Sequence, residues 1–155
     1  MPLVSLADLP PKGALLGLDP GTKTVGVASC DPGRLIATPL ETLVRGKKLG
    51  PTLDRLFVLY DGRNCAGLVL GLPVNMDGSE GPRCQSVRQF VANIANHGPP
   101  ALAALPAVLQ DERLSTAAVT RGMIDDYDMT RAKRAERVDA AAAAWILESA
   151  LARLR

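Results

Sequence analysis

Short apolar runs separated by turn residues fill the first half of the chain. Ala14 to Leu18 is one such run and ends in the turn cluster Asp19-Pro20-Gly21, after which Val25 to Cys30 resumes with small and β-branched residues. The pattern predicts a hairpin. Leu35 to Thr42 predicts a third strand, with Pro39 better placed on a sheet edge than in its middle because it has no N–H to give to a ladder. Leu49, Leu53, Leu56 and Tyr60 recur at helical spacing, and Pro51 suits a first turn, so a helix is expected over about 50–62. Ala66 to Leu72 is an unbroken apolar strand of the kind covered on both faces, and it stops at Pro73 before the loop signal Asn75-Met76-Asp77-Gly78. Val87, Phe90, Val91 and Ile94 predict a helix from Gln85 to Asn96 ended by Gly98, and Pro106 to Gln110 predicts another buried strand running into Asp111-Glu112-Arg113. Ser115 caps an expected helix that reaches about Asp126, and a last helix runs from about Arg134 to Leu154. Residues 1–12 are aperiodic and contain proline, and read as a loose leader ahead of a single domain over 13–155.

The order is three strands, helix, strand, helix, strand, helix, helix. Short alternating crossovers favour parallel pairing of the later strands. Three antiparallel strands followed by βαβα is the ribonuclease H-like layout, an α/β fold whose five-stranded mixed sheet has the order 3-2-1-4-5. Its first strand lies in the middle.

Composition narrows the function. With 155 residues, 47% apolar and 22% charged, the chain is one ordinary folded core and not a disordered or coiled-coil protein. Two Phe, two Tyr and one Trp are too few to grip a single strand by stacking its bases on rings, so any nucleic acid is held by charge and backbone amides. A net charge of +2 selects no partner. Cys30, Cys65 and Cys84 are odd in number with no CxxC spacing, which points to reduced thiols and a cytoplasmic setting. The uncharged run 91–110 is broken by Asn93, Asn96, His97 and Gly98-Pro99-Pro100, so no membrane span is expected, and no secretory signal is read at the N-terminus.

The chemistry lies in carboxylates. Asp19 ends the first strand where the chain turns, with Gly21, Thr22 and Lys23 close behind. Asp139 shares a helical stripe with Ala142, Ala143, Ile146 and Ala150, and a charge on that apolar face is costly unless paired, protonated or bound to metal. An ion pair with Arg113, Arg131 or Arg137 is the structural alternative. Asp111 and Glu112 leave the last strand at the carboxyl edge, where open α/β sheets gather ligands. Glu112, with the longer reach, is chosen as the site acid and Asp111 is its competitor, since alternation lets only one face the site. Oxygen donors without His or Cys suit Mg²⁺ or Mn²⁺, which activate water for phosphodiester hydrolysis. Lone His97 reads as a helix-end residue, and no serine has a partnered His.

Four motifs in order, Leu16-Gly17-Leu18-Asp19-Pro20-Gly21-Thr22-Lys23 with Val25-Gly26-Val27-Ala28, Gly71-Leu72-Pro73 with Asn75-Met76-Asp77-Gly78-Ser79, Asp111-Glu112-Arg113-Leu114-Ser115-Thr116, and Val138-Asp139-Ala140-Ala141-Ala142, resemble the YqgF family. The resemblance covers residues 14–150 or so. It implies a cytoplasmic, metal-dependent, ribonuclease H-like nuclease that processes the 5′ end of the small-subunit ribosomal RNA precursor; the family has also been called a Holliday junction resolvase. Asp19, Glu112 and Asp139 match its acidic catalytic and metal positions, and Lys23, Arg113, Ser115 and Thr116 its polar, nucleic-acid-binding neighbours. One departure stands out: the strand ending in Gly71-Leu72-Pro73 brings no acid, although the resolvase sharing the fold draws one from that strand.

The leading expectation is therefore an endonuclease on structured RNA, with Arg121, Arg131, Lys133, Arg134 and Arg137 available to position the backbone. A resolvase of branched DNA keeps the same site but requires a stable dimer, whereas the expected state is a monomer or weak homodimer. A phosphate-binding hairpin of the ATPase type needs a second lobe that this chain lacks. A non-catalytic RNA-binding assembly factor is the remaining alternative.

Overall fold

A computed structural model describes residues 1–112 and 131–154, the side chains of 131–138 excepted. The strands are β1 (Ala14–Pro20), β2 (Thr24–Cys30), β3 (Ala37–Val44), β4 (Cys65–Leu72) and β5 (Ala107–Asp111). The helices are α1 (Gly50–Asp61), α2 (Pro82–His97), the one-turn α3 (Pro100–Ala103) and α4 (Arg131–Leu154). One mixed sheet has the order β3-β2-β1-β4-β5, as the ribonuclease H-like reading expects. β1 pairs antiparallel with β2 and parallel with β4, and β4 pairs parallel with β5.

Alternation along β1 divides its side chains between two cores. Leu16 and Leu18 join Val25, Val27, Leu68 and Leu70 beneath α1 and α2, which contribute Leu53, Leu56, Phe90 and Ile94. Leu15, Ala28, Val69 and Val108 face the other way, toward Ala143, Ile146, Leu147 and Leu151 of α4. Because both faces are covered, β1 and β4 carry unbroken apolar runs in place of a polar alternation.

α4 comes close to the sheet because the strands beneath it lack side chains at key points. A Cβ on Gly17 would stand 2.8 Å from the Ala143 carbonyl oxygen, and one on Gly71 would stand 2.5 Å from Ile146 Cδ1. At Gly26 it would overlap the Asp139 carbonyl. Small residues on the helix, with Ala140, Ala142, Ala143 and Ala150 all buried, complete the fit.

Several expectations are corrected. The first twelve residues are not a loose leader: Val4 N–H donates to the Ala107 carbonyl and Ala107 N–H to that of Pro2, each at 2.9 Å, and Leu9 is buried against the α4-side core. The first residue of β5 would otherwise present an open N–H and C=O on the sheet's outer edge, and this segment pairs with both. The third strand starts at Ala37 and not Leu35, because the Asp31 carboxylate accepts the amides of Leu35 and Ile36 at 2.9 Å each and holds them in the preceding loop. Pro39 falls on the edge strand β3, beside a shift in the β2–β3 register. Helix α2 begins at Pro82, three residues before the expected start at Gln85, and the short α3 adds a turn that the periodicity does not predict. The helix expected from Ser115 lies outside the described residues. No described helix is long and apolar enough to cross a membrane.

Two outcomes follow from this packing. Gly26→Ala forces α4 off the sheet and is expected to lower the unfolding free energy by about 1–3 kcal/mol in urea denaturation. Gly50→Ala, whose Cβ would meet nothing within 4 Å, serves as the near-neutral control. Equal stability of the two variants would contradict the close contact. Cys30, Cys65 and Cys84 are buried free thiols, and burial pushes Cys65 up to about 11 and Cys30 upward as well. At pH 8 the folded protein is expected to react slowly with a thiol reagent, with all three cysteines reacting promptly once denaturant is added. Rapid labelling of the native protein would show that the sheet opens readily.

Candidate active site

The site follows from the register of β1. Asp19 continues the series Leu15, Gly17 on the α4 side of the strand, and it is 8% exposed. Its partner on β2 is Gly26. On the other side Leu18 pairs with Leu70, which carries Asp19 into line with Gly71 on β4. Three adjacent strands thus present the row Gly26, Asp19, Gly71, in which only the middle residue has a side chain.

Each glycine makes room for an acid from elsewhere in the chain. Over Gly26 stands the backbone of Asp139, the residue that opens the described, sheet-packed part of α4. Over Gly71 stands the Glu112 carboxyl group, with Oε1 at 2.7 Å and Cδ at 2.8 Å from the position a Cβ would take. Glu112 reaches this place because its N–H continues the β4–β5 ladder, donating to the Leu72 carbonyl at 3.0 Å. Asp111 pairs with Leu72, whose side chain belongs to the α1–α2 core, and so has the opposite facing. Of the two neighbouring acids, Glu112 is the one beside Asp19.

The Asp139 side chain is oriented by a residue that sequence reasoning passed over. Thr24 Oγ donates a short hydrogen bond to Asp139 Oδ2. Thr24 shares the α4-facing side of β2 with Gly26 and Ala28, a period-two pattern present in the sequence but unremarkable before α4 was placed. No arginine among the described residues forms an ion pair with Asp139.

The donor set consists of carboxylate oxygens, which suits a hard divalent cation such as Mg²⁺ or Mn²⁺. Glu112 Oε1 is shielded from solvent alongside Ile146, a position costly for a carboxylate unless it is protonated, hydrogen-bonded or next to a cation. The expectation that three carboxylates meet at one point is corrected in detail. Among the described residues no three His, Cys, Asp or Glu side chains are gathered closely enough to hold one ion together. The acids stand along a row, with Asp139 turned toward Thr24.

Lys23 is exposed at the tip of the β1–β2 hairpin. That tip is braced: Gly21 N–H donates to the Thr24 carbonyl at 2.8 Å, and Arg45 N–H to the Lys23 carbonyl at 2.8 Å. The Arg45 guanidinium also donates to the Gly21 carbonyl at 2.5 Å while lying 5.3 Å from the Phe90 ring centre. Arg113, Ser115, Thr116 and Arg121 lie outside the described residues, as do the side chains of Arg131, Lys133, Arg134 and Arg137. The 75–81 loop closes on itself through Ser79, whose N–H and hydroxyl both donate to Asp77 Oδ1.

Comparison with known proteins bears on this geometry. A family model described as RuvX, Holliday junction resolvase, matches residues 13–153. A Rhodospirillum rubrum protein named "Putative pre-16S rRNA nuclease" is 56% identical over 155 residues, covering 97% of this chain and 92% of its own length. A Caulobacter vibrioides protein of the same name is 48% identical over 159 residues, covering 100% of this chain and 99% of its own. Among solved structures, RuvC of Thermus thermophilus in complex with a Holliday junction substrate has a TM-score of 0.53 at 15% identity, over 90% of this chain and 95% of that one. The last is a likeness of fold.

The Thr24 contact gives a direct test. Thr24→Val keeps the shape and removes the donor, and is expected to cost about 1–2 kcal/mol in urea denaturation, while Thr24→Ser retains most of the stability. Equal losses in both variants would mean that the methyl packing, and not the bond to Asp139, matters.

Proposed function

The chain belongs to the RuvX family, described as Holliday junction resolvase and identified above as YqgF, and from that premise we propose that it is a divalent-metal-dependent endonuclease that processes the 5′ end of pre-16S ribosomal RNA. The observation that carries the chemistry is the row Gly26, Asp19, Gly71 with Asp139 and Glu112 standing over its two glycines. The names of relatives 48–56% identical over nearly the whole chain favour ribosomal RNA precursor as the substrate.

In this reading Asp19, Glu112 and Asp139 are the catalytic acids, and one or two Mg²⁺ or Mn²⁺ ions would be shared along their row, no single ion needing all three carboxylates. A divalent cation held there would lower the pKa of water and supply positive charge for the phosphate oxygens. Asp19 contributes a carboxylate whose position is set by a strand paired on both sides. Thr24 holds Asp139 at one orientation, and the β4–β5 ladder carries Glu112 to the opposite end of the row. A water oxygen forms the new bond to phosphorus and gives up a proton, the bond to the leaving oxygen breaks, and the leaving oxygen takes up a proton, so that none is gained or lost overall. Lys23 meets a flanking phosphate from the hairpin tip, and Arg113, Ser115 and Thr116 supply the remaining polar contacts to substrate. The protein acts in the cytoplasm as a monomer or weak homodimer.

A second reading, resolution of branched DNA, is favoured by the description of the family model and by the fold likeness to a junction-bound resolvase. It keeps the site and requires two copies to cut symmetrically.

Wild type and Asp19→Asn are to be assayed on a precursor ribosomal RNA leader and on a four-way DNA junction, with Mg²⁺, Mn²⁺ or EDTA. Cleavage of the RNA by wild type with either ion is expected, with none in EDTA and a loss of at least about 100-fold in the variant. Mn²⁺ is also expected to raise the melting temperature of wild type more than that of Asp19→Asn. Equal cutting by the two proteins would refute the catalytic assignment. RNA binding without cleavage by either would favour the assembly-factor reading, and preferential junction cutting by a stable dimer the resolvase.

A further inference from the structure

The edge of the sheet that carries Asp19 has a second side. Asp19 faces α4, but Pro20, the next residue, lines a cavity of about 330 Å³ on the α2 side of the same edge. Its walls are Gly21, Thr22 and Lys23 of the hairpin tip, Pro73 at the end of β4, and Arg83 and Ser86 on the first turns of α2. The volume falls at the lower end of the range of small-molecule sites, about 300–1,000 Å³.

Its charge is what singles it out. Lys23 and Arg83 line the same concavity, and among the described residues neither forms an ion pair. Three other arginines are committed. Arg88, on the same helix as Arg83, is held by Glu80 through a two-pronged pair at 2.7 and 2.8 Å, and Arg55 is held by Glu41. Arg45 spends its guanidinium on the Gly21 carbonyl and the Phe90 ring. Glu80, the acid nearest Arg83 in sequence, is thus occupied by a different partner. Two cations sharing a recess repel one another, and an anion seated between them removes that repulsion. The hydroxyls of Thr22 and Ser86 add neutral donors to the same walls. The hairpin wall is fixed in place by Arg45, so the recess does not depend on a mobile loop.

We propose that this recess, with Lys23, Arg83 and Ser86 as its polar contacts, binds a backbone phosphate of the substrate strand adjacent to the phosphate under attack. The inference rests on the nuclease reading for the identity of the strand. The strand crosses the sheet edge at Asp19-Pro20, with the scissile phosphate over the acids on the α4 side and its neighbour in the cationic recess on the α2 side. Phosphate contacts of this kind position a strand without reading its sequence. Arg83 and Ser86 are therefore positioning residues, and the recess tells the enzyme where along the strand the acids act.

The test uses binding in EDTA, so that it does not depend on cleavage. A fluorescein-labelled single-stranded RNA is titrated with wild type, Arg83→Gln, Lys23→Gln and the double variant across a series of NaCl concentrations. Arg83→Gln is expected to weaken binding about 3–10-fold and to reduce the log–log salt slope by about 0.7, the value for one phosphate contact on a single strand. The double variant is expected to lose less than the product of the two single losses, because both cations serve one phosphate. Arg63→Gln, at the opposite end of the sheet, is the control expected to bind as wild type. A neutral methylphosphonate placed at successive linkages is expected to abolish the difference between wild type and Arg83→Gln at one linkage alone. Thermal melting checks that each variant is folded.

Unchanged affinity and slope in folded Arg83→Gln, fully multiplicative losses in the double variant, or equal sensitivity at every linkage would overturn the recess as a phosphate site. Binding that behaves as expected in a protein that never cuts would defeat the nuclease reading and leave the recess standing. Cleavage by wild type with unaltered binding by Arg83→Gln would do the reverse.

Discussion

Close approach of α4 to the sheet is the constraint from which the rest of this site descends. A helix carrying large side chains against a strand surface with large side chains would stand several ångströms further out, and Asp139 would then be remote from Asp19. Glycines at positions 17, 26 and 71 remove that layer on the sheet, and the alanines of α4 remove it on the helix. The three glycines lie on three different strands yet beneath one helix, so the contact is a property of the sheet and not of any local motif. Core volume is given up for proximity, a form of stability–function trade familiar where charged groups must be brought together.

The second organising fact is the sidedness of β1. A strand in the middle of the sheet has one face toward each layer, and its final two residues divide accordingly: Asp19 toward α4 and Pro20 toward α2. The acids therefore collect on one side of the edge and Lys23 and Arg83, neither ion-paired among the described residues, on the other. For a polyanion the cationic recess is attractive, whereas the acidic row repels it until positive charge is supplied there. In the proposed reading, binding and chemistry would be separated by the thickness of a strand, coupling attack at one phosphate to recognition of the next.

Much of the fold was legible because hydrophobic periodicity reports burial directly. The run Ala14 to Leu18 declared a strand, the unbroken run Ala66 to Leu72 declared one covered on both sides, and the stripe through Ile146 and Ala150 declared the core face of the last helix. The misreadings share one cause. Residues 1–12 carry too little local pattern to reveal that they pair with the first residue of β5, and Leu35 with Ile36 looks like the start of a strand although Asp31 has captured both amides. In each case a specific hydrogen bond, to Ala107 far along the chain or to the side chain of Asp31 four and five residues back, decided the backbone that apolar pattern alone does not show.

For the site, the residue types and their order were readable from one dimension: an acid at a strand–turn junction, another just beyond the last strand, and a third on an apolar helical stripe, all with hard oxygen donors. Three-dimensional packing alone decided how they meet. Glu112 and Asp111 are neighbours in the chain, and only the β4–β5 ladder makes the first face α4. Thr24 becomes an orienting donor only once Asp139 is laid across β2, and Arg83 becomes notable only when Lys23 is beside it and Glu80 is found paired with Arg88. The physical reason is that periodicity encodes which face of its own element a residue occupies, while the identity of what covers that face depends on register and helix placement between segments distant in sequence.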